Sequence, residues 1–149
     1  IAVNVAAILI AVLALVSIVD GFLGLIMEGL SLQSILGYVF APICWMMGIP
    51  WSESTGAAEL LGIKLATNEF VAYTQFGGMD PEAFSERTKV IILYALCGFA
   101  NFSSVGILIS GIGSMAPEKR IDLIEVSGKA LVGATLASCF TGLVAGLFA

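Results

Sequence analysis

Residues 90–116 read VIILYALCGFANFSSVGILISGIGSMA and contain no charged side chain. The stretch is longer than the ~20 apolar residues that a helix needs to cross a hydrocarbon core. Its centre, GFANFSS, is small and polar. A polar centre between two apolar halves is typical of a discontinuous transmembrane helix, whose unwound backbone can bind a ligand. The sequence therefore predicts a broken helix over 90–116.

The composition of the whole chain supports a membrane location. Of the 149 residues, 59% are hydrophobic and 11% are charged, whereas a soluble domain has about 25% charged residues. The mean hydropathy of +1.06 leaves too little polar surface to cover a water-soluble globule. We predict an all-α membrane protein that contacts the lipid bilayer.

The composition also excludes several classes of function. The net charge is -5 and the basic residues form no stripe, so we expect no nucleic-acid polymer as a partner. The chain has no histidine, no phosphate-binding glycine loop and no motif of metal ligands. We therefore predict that it is not an enzyme, that it uses no cofactor and that it holds no metal site of its own.

Apolar segments also occupy both ends of the chain. Residues 1–19 carry no charge and are long enough to span the membrane as a helix, which we expect Asp20 and Gly21 to end. A charged connector at 117–129 precedes a last charge-free segment at 130–149. Because the chain begins inside an apolar run and is short for a secondary transporter, we interpret it as a fragment that lacks an N-terminal partner repeat.

Residues 30–50 combine helical periodicity with prolines. Ser31 is a candidate N-cap, and apolar residues recur at helical spacing until Pro42 and Pro50 interrupt the pattern. The aromatic residues of this segment suit the headgroup level of a bilayer. We favour a helix that lies near the membrane interface. The alternative is a second transmembrane helix that is kinked at Pro42.

Residues 52–79 fail as a single membrane span because charged residues interrupt them every few positions. These are Glu53, Glu59, Lys64 and Glu69. The pattern is still helical up to about residue 65 and again from about residue 69, so we predict two half-length helices joined at residues 66–68. Irregular backbone at membrane depth is allowed only beside protein or a water-filled cavity, which favours a re-entrant helical hairpin.

The predicted hairpin tip carries Thr67, Asn68 and Glu69. A carboxylate near membrane depth is costly unless it faces a cavity or a partner, and an ionised carboxylate accepts hydrogen bonds only. It could therefore bind a ligand rich in hydroxyl groups, such as a sugar ring. The structural alternative is that Thr67 or Asn68 caps the second half-helix and Glu69 lies at its positive end. Spacing alone does not decide between the two.

The centre of the broken helix adds a second set of polar groups. Asn101, Ser103 and Ser104 offer hydrogen-bond donors and acceptors, and Phe99 and Phe102 offer flat apolar faces. Alternatively, the polar groups satisfy one another and the neighbouring glycines only allow tight packing. An unwound helix beside an acidic hairpin tip is a more specific pattern, since both would converge on one site near the bilayer midplane.

Several other residues have a structural interpretation. Lys64 could pair with Glu59 or Glu69, or reach toward an interface. Gly142 and Gly146 are four residues apart and permit close helix packing. The three cysteines are expected to be small buried apolar residues. They are Cys44, Cys97 and Cys139.

Four stretches of the chain resemble one known family. They read LSLQSILGYVFAPICWMMGIPW from residue 30, GIKLATNEFVAY from residue 62, YALCGFANFSSVGILISGIGSMAPEKR from residue 94 and ALVGATLASCFTGLVAGLFA from residue 130. They are similar to the C-terminal domain of concentrative nucleoside transporters, and the resemblance runs nearly end to end. The NEF and CGFANFSS motifs, in this order, are its most specific part.

The resemblance implies a two-repeat transporter in which a transport domain moves against a scaffold. Residues 1–29 would be a scaffold transmembrane helix with its connection, 30–50 an interfacial helix, and 51–149 half of the transport domain. That half would comprise a re-entrant hairpin at 52–79, the broken helix at 90–116 and a last span at 127–149. The resemblance also implies a homotrimer, multi-pass in the plasma membrane or cell inner membrane.

The resemblance further implies roles for individual residues. Glu69, Asn101 and Ser104 match positions that hold the ribose, and Phe99 matches an aromatic residue near the nucleoside. The residues that read the base and the ligands of the coupling cation belong to the first repeat of the family, which this sequence does not include. The coupling ion is expected to be Na+ or H+.

The predicted function is nucleoside symport, coupled to Na+ or H+, by alternating access. Two alternatives are still open at this point. One is a membrane transporter that uses the same gate-like fold for another solute. The other is a non-transporting membrane scaffold or sensor subunit, which a costly buried acid at the hairpin tip disfavours.

Overall fold

A computed structural model describes residues 2–149, except for the side chains of residues 2, 4 and 5. Seven α-helices and one short 3-10 turn make up most of this part of the chain, and no strand occurs in it. The helices are α1 (Ala2–Ile26), α2 (Leu32–Met46), α3 (Trp51–Ala66), α4 (Glu69–Gly78), α5 (Glu86–Leu96), α6 (Phe102–Met115) and α7 (Arg120–Gly146). The predicted all-α fold is therefore confirmed.

Two segments within the described part of the chain are long and apolar enough to cross a membrane. They are Ala6–Ile26 in α1 and Pro117–Gly146, which contains α7. α1 packs mainly against α6, and α7 packs mainly against α5. The buried core lies between α2, α3 and α5, where the side chains of Cys44, Leu60 and Leu96 are almost inaccessible.

The prediction that Asp20 and Gly21 end the first helix is wrong. Apolar residues continue beyond them, and α1 ends at Ile26, shortly before Gly29. The φ of +83° at Gly29 is a left-handed conformation that glycine adopts readily. Oδ1 of Asp20 accepts a hydrogen bond of 2.7 Å from the backbone N–H of Leu32. Asp20 therefore joins α1 to the start of α2.

The connector predicted at 117–129 is largely helical. Only Pro117–Lys119 form a 3-10 turn, and α7 begins at Arg120, well before the predicted start of the last span at residue 127. The charges suit a helix because they are neighbours at i,i+3, as the exposed ion pair of 3.3 Å between Lys119 and Asp122 shows.

α2 passes through Pro42 without ending. Ser31 is its N-cap, as predicted: its hydroxyl accepts from the Ser34 backbone N–H at 3.1 Å, and the Ser34 hydroxyl accepts from the Ser31 backbone N–H. The 15 residues of α2 extend about 22 Å, whereas a hydrocarbon core is about 30 Å thick. α2 is too short to span alone, and its place at the interface stays a prediction.

Glycines bring helix backbones together at two places. A Cβ atom on Gly62 of α3 would lie 2.8 Å from the carbonyl oxygen of Gln33 in α2. A Cβ atom on Gly142 of α7 would lie 2.7 Å from the carbonyl oxygen of Ile91 in α5, and Gly146 faces the side chain of the same isoleucine. The close helix packing predicted for Gly142 and Gly146 is confirmed.

Candidate functional site

Two interruptions of helical structure meet in the fold. Residues 67–68 separate α3 from α4, which together we call the hairpin, and residues 97–101 separate α5 from α6, which together we call the broken helix. The Ser103 hydroxyl, in the first turn of α6, donates a hydrogen bond of 2.9 Å to the Thr67 carbonyl and so joins the broken helix to the interruption of the hairpin. Both interruptions lie where the sequence predicts them. The depth of the hairpin in a membrane stays a prediction.

The same kind of cap begins the second half of each pair. Asn68 precedes α4 and Asn101 precedes α6, and both have extended backbone. Oδ1 of Asn68 accepts from the Val71 N–H at 3.0 Å, and Oδ1 of Asn101 accepts from the Ser104 N–H at 2.7 Å. Asparagine is among the best N-cap residues. The positive ends of two helices therefore lie at the junction.

Glu69 lies next to Asn101 at this junction. Nδ2 of Asn101 donates a hydrogen bond of 2.8 Å to Oε2 of Glu69, and Oδ1 of Asn101 also accepts from the Ser104 hydroxyl at 2.8 Å. Asn101 is 1% exposed and Ser104 is 4% exposed, while Glu69 is half-buried. The structure thus brings three predicted site residues into one hydrogen-bonded row, which we call the polar row.

The polar row keeps free hydrogen-bonding capacity. Oε1 of Glu69 accepts from no group among the described residues, the second amide N–H of Asn101 is unused, and the Ser104 hydroxyl oxygen can still accept. The alternative that the polar groups satisfy one another therefore holds only in part. A hydroxyl group could donate to Glu69 and accept from Asn101, which is the pattern of donors and acceptors that a ligand with neighbouring hydroxyls requires.

Phe99 and a cavity flank the polar row. The Phe99 side chain is 66% exposed and lines a cavity of ≈ 190 Å³ between α6 and α7. Asn101 and Ser104 line the same cavity, whose other walls are mainly apolar, with Leu108 and Leu131 among them. Glu69 is not one of the lining residues. The cavity therefore offers an apolar volume beside two of the three polar groups.

Thr67 and Asn68 make hydrogen bonds at helix ends and lie outside the polar row. The buried hydroxyl of Thr67 donates to the Ile63 carbonyl at 2.6 Å, so it closes α3 and does not cap α4. Asn68 caps α4, and Glu69 lies in the first turn of that helix. The structural alternative is therefore correct for Asn68, but Glu69 also bonds Asn101 across the junction.

Comparison with known proteins shows the family of the chain. A family model described as "Na+ dependent nucleoside transporter C-terminus" matches residues 1–146, almost the whole chain. The chain belongs to the concentrative nucleoside transporter family. Its predicted membrane location follows, since nucleoside transporters of this family are integral proteins of the plasma or inner membrane.

Several relatives in the concentrative nucleoside transporter family are similar in sequence. The chain is 46% identical over 153 residues to the uncharacterized transporter YutK of Bacillus subtilis, and 48% identical over 126 residues to the nucleoside permease NupC of Helicobacter pylori. The matches cover 99% and 82% of this chain but only 38% and 30% of the two relatives. The chain spans well under half the length of these transporters.

A solved structure of the same family supports the fold. A variant of CNTnw in its intermediate 2 state is similar with a TM-score of 0.93 and 40% sequence identity. The match covers 99% of this chain and 38% of that chain. The fold of this chain is therefore that of the corresponding part of CNTnw.

The surroundings of Lys64 differ from those that the sequence predicts. Neither Glu59 nor Glu69 pairs with it, since the two ion pairs among the described residues lie elsewhere. Lys64 is buried, and its Nζ donates a hydrogen bond of 2.9 Å to the carbonyl oxygen of Ala95 in α5. The signal in the sequence was a single cation between apolar residues just before the hairpin tip.

The cysteines differ from one another in exposure. Cys44 and Cys139 are buried, as predicted, but Cys97 is exposed. Cys97 follows the end of α5, where the chain leaves the packed core and unwinds. Within residues 2–149, no group of three His, Cys, Asp or Glu side chains is placed to hold a metal ion.

Proposed function

We propose that the complete protein is a nucleoside symporter, coupled to Na+ or H+, that works by alternating access. Membership in the family supports nucleoside transport, and the family description names Na+ dependence. The observation that carries the proposal is the polar row of Glu69, Asn101 and Ser104, because its free donors and acceptor sites match the hydroxyl groups of a sugar.

In this proposal the polar row binds the ribose. One ribose hydroxyl donates to Oε1 of Glu69 and accepts from the unused N–H of Asn101, and the neighbouring hydroxyl bonds to Ser104. A hydrogen bond to an ionised carboxylate is roughly twice as strong as one between neutral groups, so Glu69 contributes most to affinity. The exposed ring of Phe99 offers a flat face for apolar contact with the nucleoside.

The part of the relatives that this chain does not span would complete the site. The cavity of ≈ 190 Å³ is smaller than typical ligand pockets of about 300–1,000 Å³. We assign recognition of the base and binding of the coupling cation to that other part. Thr67 and Asn68 would shape the hairpin tip without touching the sugar, because their described hydrogen bonds stabilise helix ends.

We also propose how the protein is divided into moving parts. Residues 1–29 would belong to a scaffold, residues 30–50 would lie at the interface, and residues 51–149 would form half of a transport domain. Support comes from the hydrogen bonds that link the hairpin to the broken helix, since linked elements move together. The complete protein would be a homotrimer.

Uptake of labelled uridine into vesicles that contain the full-length protein tests this function. Glu69→Gln removes the charge and nearly preserves the shape of the side chain. We expect about a 10- to 100-fold loss of uptake at low uridine concentration, since a hydrogen bond to a charged group contributes about 1.5–3 kcal/mol. The variant should still insert and assemble, because Glu69 is half-buried and lies at a helix start.

Glu118→Gln is the matched control, since Glu118 is an exposed carboxylate in the turn before α7. It should transport uridine normally. Competition by 2′,3′-dideoxyuridine should be weaker than competition by uridine, which separates nucleoside transport from transport of a solute without a sugar. Normal uptake by Glu69→Gln would contradict the assignment of the site. A wild-type protein that transports no nucleoside would contradict the function.

A further inference from the structure

Lys64 is a buried cation that the proposed sugar binding does not use. It is 3% exposed, and no other lysine or arginine among the described side chains is buried. Taking an ammonium group out of water is costly unless a partner compensates for it. The partner here is the Ala95 carbonyl, at 2.9 Å from Nζ. The contact with α5 therefore compensates for the burial of the Lys64 ammonium group.

Ala95 lies in the last turn of α5, where backbone carbonyls have no partner within the helix. Tyr73, on the other arm of the hairpin, donates its hydroxyl to a second carbonyl of this turn, that of Leu93, at 2.7 Å. Each arm of the hairpin therefore supplies one donor to the end of α5. The positive charge of Lys64 also complements the negative end of the helix dipole.

Hydrogen bonds between the hairpin and the broken helix run in both directions. The Ser103 hydroxyl donates to the carbonyl of Thr67, at the end of α3, and the Asn101 amide donates to Glu69 at the start of α4. Side chains of the hairpin thus donate to backbone carbonyls of the broken helix, and side chains of the broken helix donate to the Thr67 carbonyl and the Glu69 carboxylate of the hairpin. Among the donors of these four hydrogen bonds, only Lys64 is charged.

The Lys64 ammonium also lies against the unwound segment at 97–101. A Cβ atom on Gly98 would lie 3.5 Å from Nζ of Lys64, and it would overlap the hydroxyl of Ser138 in α7. The backbone at Gly98 is therefore in close contact with both Lys64 and α7. Asn101 ends the same segment, so a shift of the segment moves the amide that bonds Glu69.

We propose that Lys64 is a positioning residue of the sugar site. It fixes the end of α5 and the unwound segment against the hairpin, and this holds the Asn101 amide at hydrogen-bond distance from Glu69. Lys64 itself does not touch the ligand. The inference rests on the proposed nucleoside transport and adds a specificity effect to it: loss of Lys64 weakens recognition of the sugar hydroxyls.

Equilibrium binding of uridine and 2′,3′-dideoxyuridine to the purified full-length protein tests the inference. Lys64→Met keeps an unbranched apolar side chain and removes the charge and the donor. We expect uridine to bind about tenfold more weakly, and dideoxyuridine to change by less than about twofold, because it lacks the hydroxyls that the polar row binds. Lys64→Arg keeps charge and donors and should recover part of the discrimination.

Lys129→Met is the matched control, since Lys129 is exposed on α7, and both affinities should stay unchanged. If Lys64→Met weakens the binding of both ligands equally, Lys64 has a role in folding only and the proposal is overturned. Unchanged binding of both ligands would also overturn it. If Lys64→Met does not fold, Tyr73→Phe removes the second donor to α5 and should reduce the discrimination in the same direction; unchanged discrimination would overturn the proposal.

Amide hydrogen exchange in the ligand-free protein separates this inference from the proposed function. Exchange at residues 97–101 should become faster in Lys64→Met and stay unchanged in Lys129→Met. Unchanged exchange in Lys64→Met would overturn the positioning role whatever the protein transports. Absence of nucleoside binding by the wild-type protein would instead overturn the proposed function.

Discussion

Asn101 has two tasks that depend on opposite ends of one amide group. Its Oδ1 caps α6 by accepting from the Ser104 N–H, and its Nδ2 donates to Glu69. An aspartate could perform the first task but not the second, because an ionised carboxylate has no donor. The amide therefore links the start of a helix to the only acidic group of the polar row.

Asn101→Asp should consequently make uridine binding depend on pH. The substitution keeps the cap but places a second carboxylate about 2.8 Å from Glu69, and like charges at that distance disfavour joint ionisation. Near neutral pH we expect about tenfold weaker binding than wild type. As the pH falls, one carboxyl takes up a proton and again donates to the other, so affinity relative to wild type should recover in part, because the amide N–H that faces the ribose is still missing.

Titration calorimetry at several pH values measures this recovery against the wild-type protein at each pH. Asn101→Ala is the control, since it has neither a donor nor a group that titrates and should stay weak throughout. If the ratio of the uridine affinities of Asn101→Asp and wild type stays constant across the acidic range, the amide donor is not what binding requires.

The sequence could predict the residue types of the site but not all of their partners. Glu69, Asn101 and Ser104 are polar groups in largely apolar stretches, so they can be chosen as candidate ligand-binding residues without a structure. The partner of Lys64 is a backbone carbonyl far along the chain, at Ala95. Every residue has such a carbonyl, so only packing decides which one Lys64 reaches. The exposure of Cys97 likewise depends on where the chain leaves the core.

At the level of helices, the contact between α7 and α5 depends on one glycine. A Cβ atom on Gly142 would meet the Ile91 carbonyl at 2.7 Å and the Ala95 side chain at 2.9 Å. Neither neighbour can move without shifting α5. We expect Gly142→Ala to destabilise the full-length protein by about 1–3 kcal/mol, as overpacking does, and to lower its thermal midpoint in detergent.

Gly133→Ala is the internal comparison, because Gly133 is in the same helix and, apart from its chain neighbours and the helix's own backbone, no atom lies within 4 Å of a Cβ built there. Alanine has the higher helix propensity, so the thermal midpoint should stay or rise slightly. An equal fall of the thermal midpoint in Gly142→Ala and Gly133→Ala would mean that the glycines act through the flexibility of α7 and not through its contact with α5.

Helix boundaries show where sequence patterns fail. The pattern places an end at Asp20 because an acid and a glycine follow an apolar run, but the Asp20 carboxylate is used at the start of α2. It places a connector at 117–129 because charges cluster there, but charges at i,i+3 spacing also suit an exposed helix. In both cases the role of a charged side chain depends on which helix it contacts or belongs to, and local spacing does not reveal this.

For the whole chain, apolar side chains cover much of the surface as well as the core. Leu25 in α1, Ile121 in α7 and Phe148 beyond α7 are largely exposed. An apolar surface of this kind suits lipid, or the part of the transporter that this chain does not span. The sequence could predict that such surface exists, because the composition requires it. Which side faces lipid depends on neighbours outside this chain.

Arg87 connects distant parts of the chain at one end of the fold. From the start of α5, its Nε donates to the Gly146 carbonyl at the end of α7 at 2.9 Å, and Nη1 donates to the Gly48 carbonyl at 3.2 Å. The segment after α2 and the end of α7 are therefore tied to α5 by one guanidinium group. The planar fork of an arginine presents donors in two directions at fixed geometry, which suits this pair of carbonyls.

Arg87→Ala should therefore lower the thermal midpoint of the full-length protein in detergent, with a cost of about 1–2 kcal/mol because the group is partly exposed. Arg87→Lys should fall between Arg87→Ala and wild type, since an ammonium group is a single point of contact. Lys129→Ala is the exposed control.

Discrimination between uridine and dideoxyuridine should persist in all three variants, because Arg87 bonds no member of the polar row. A full loss of stability in Arg87→Lys would show that both bonds are needed together, and unchanged stability in Arg87→Ala would refute the connection.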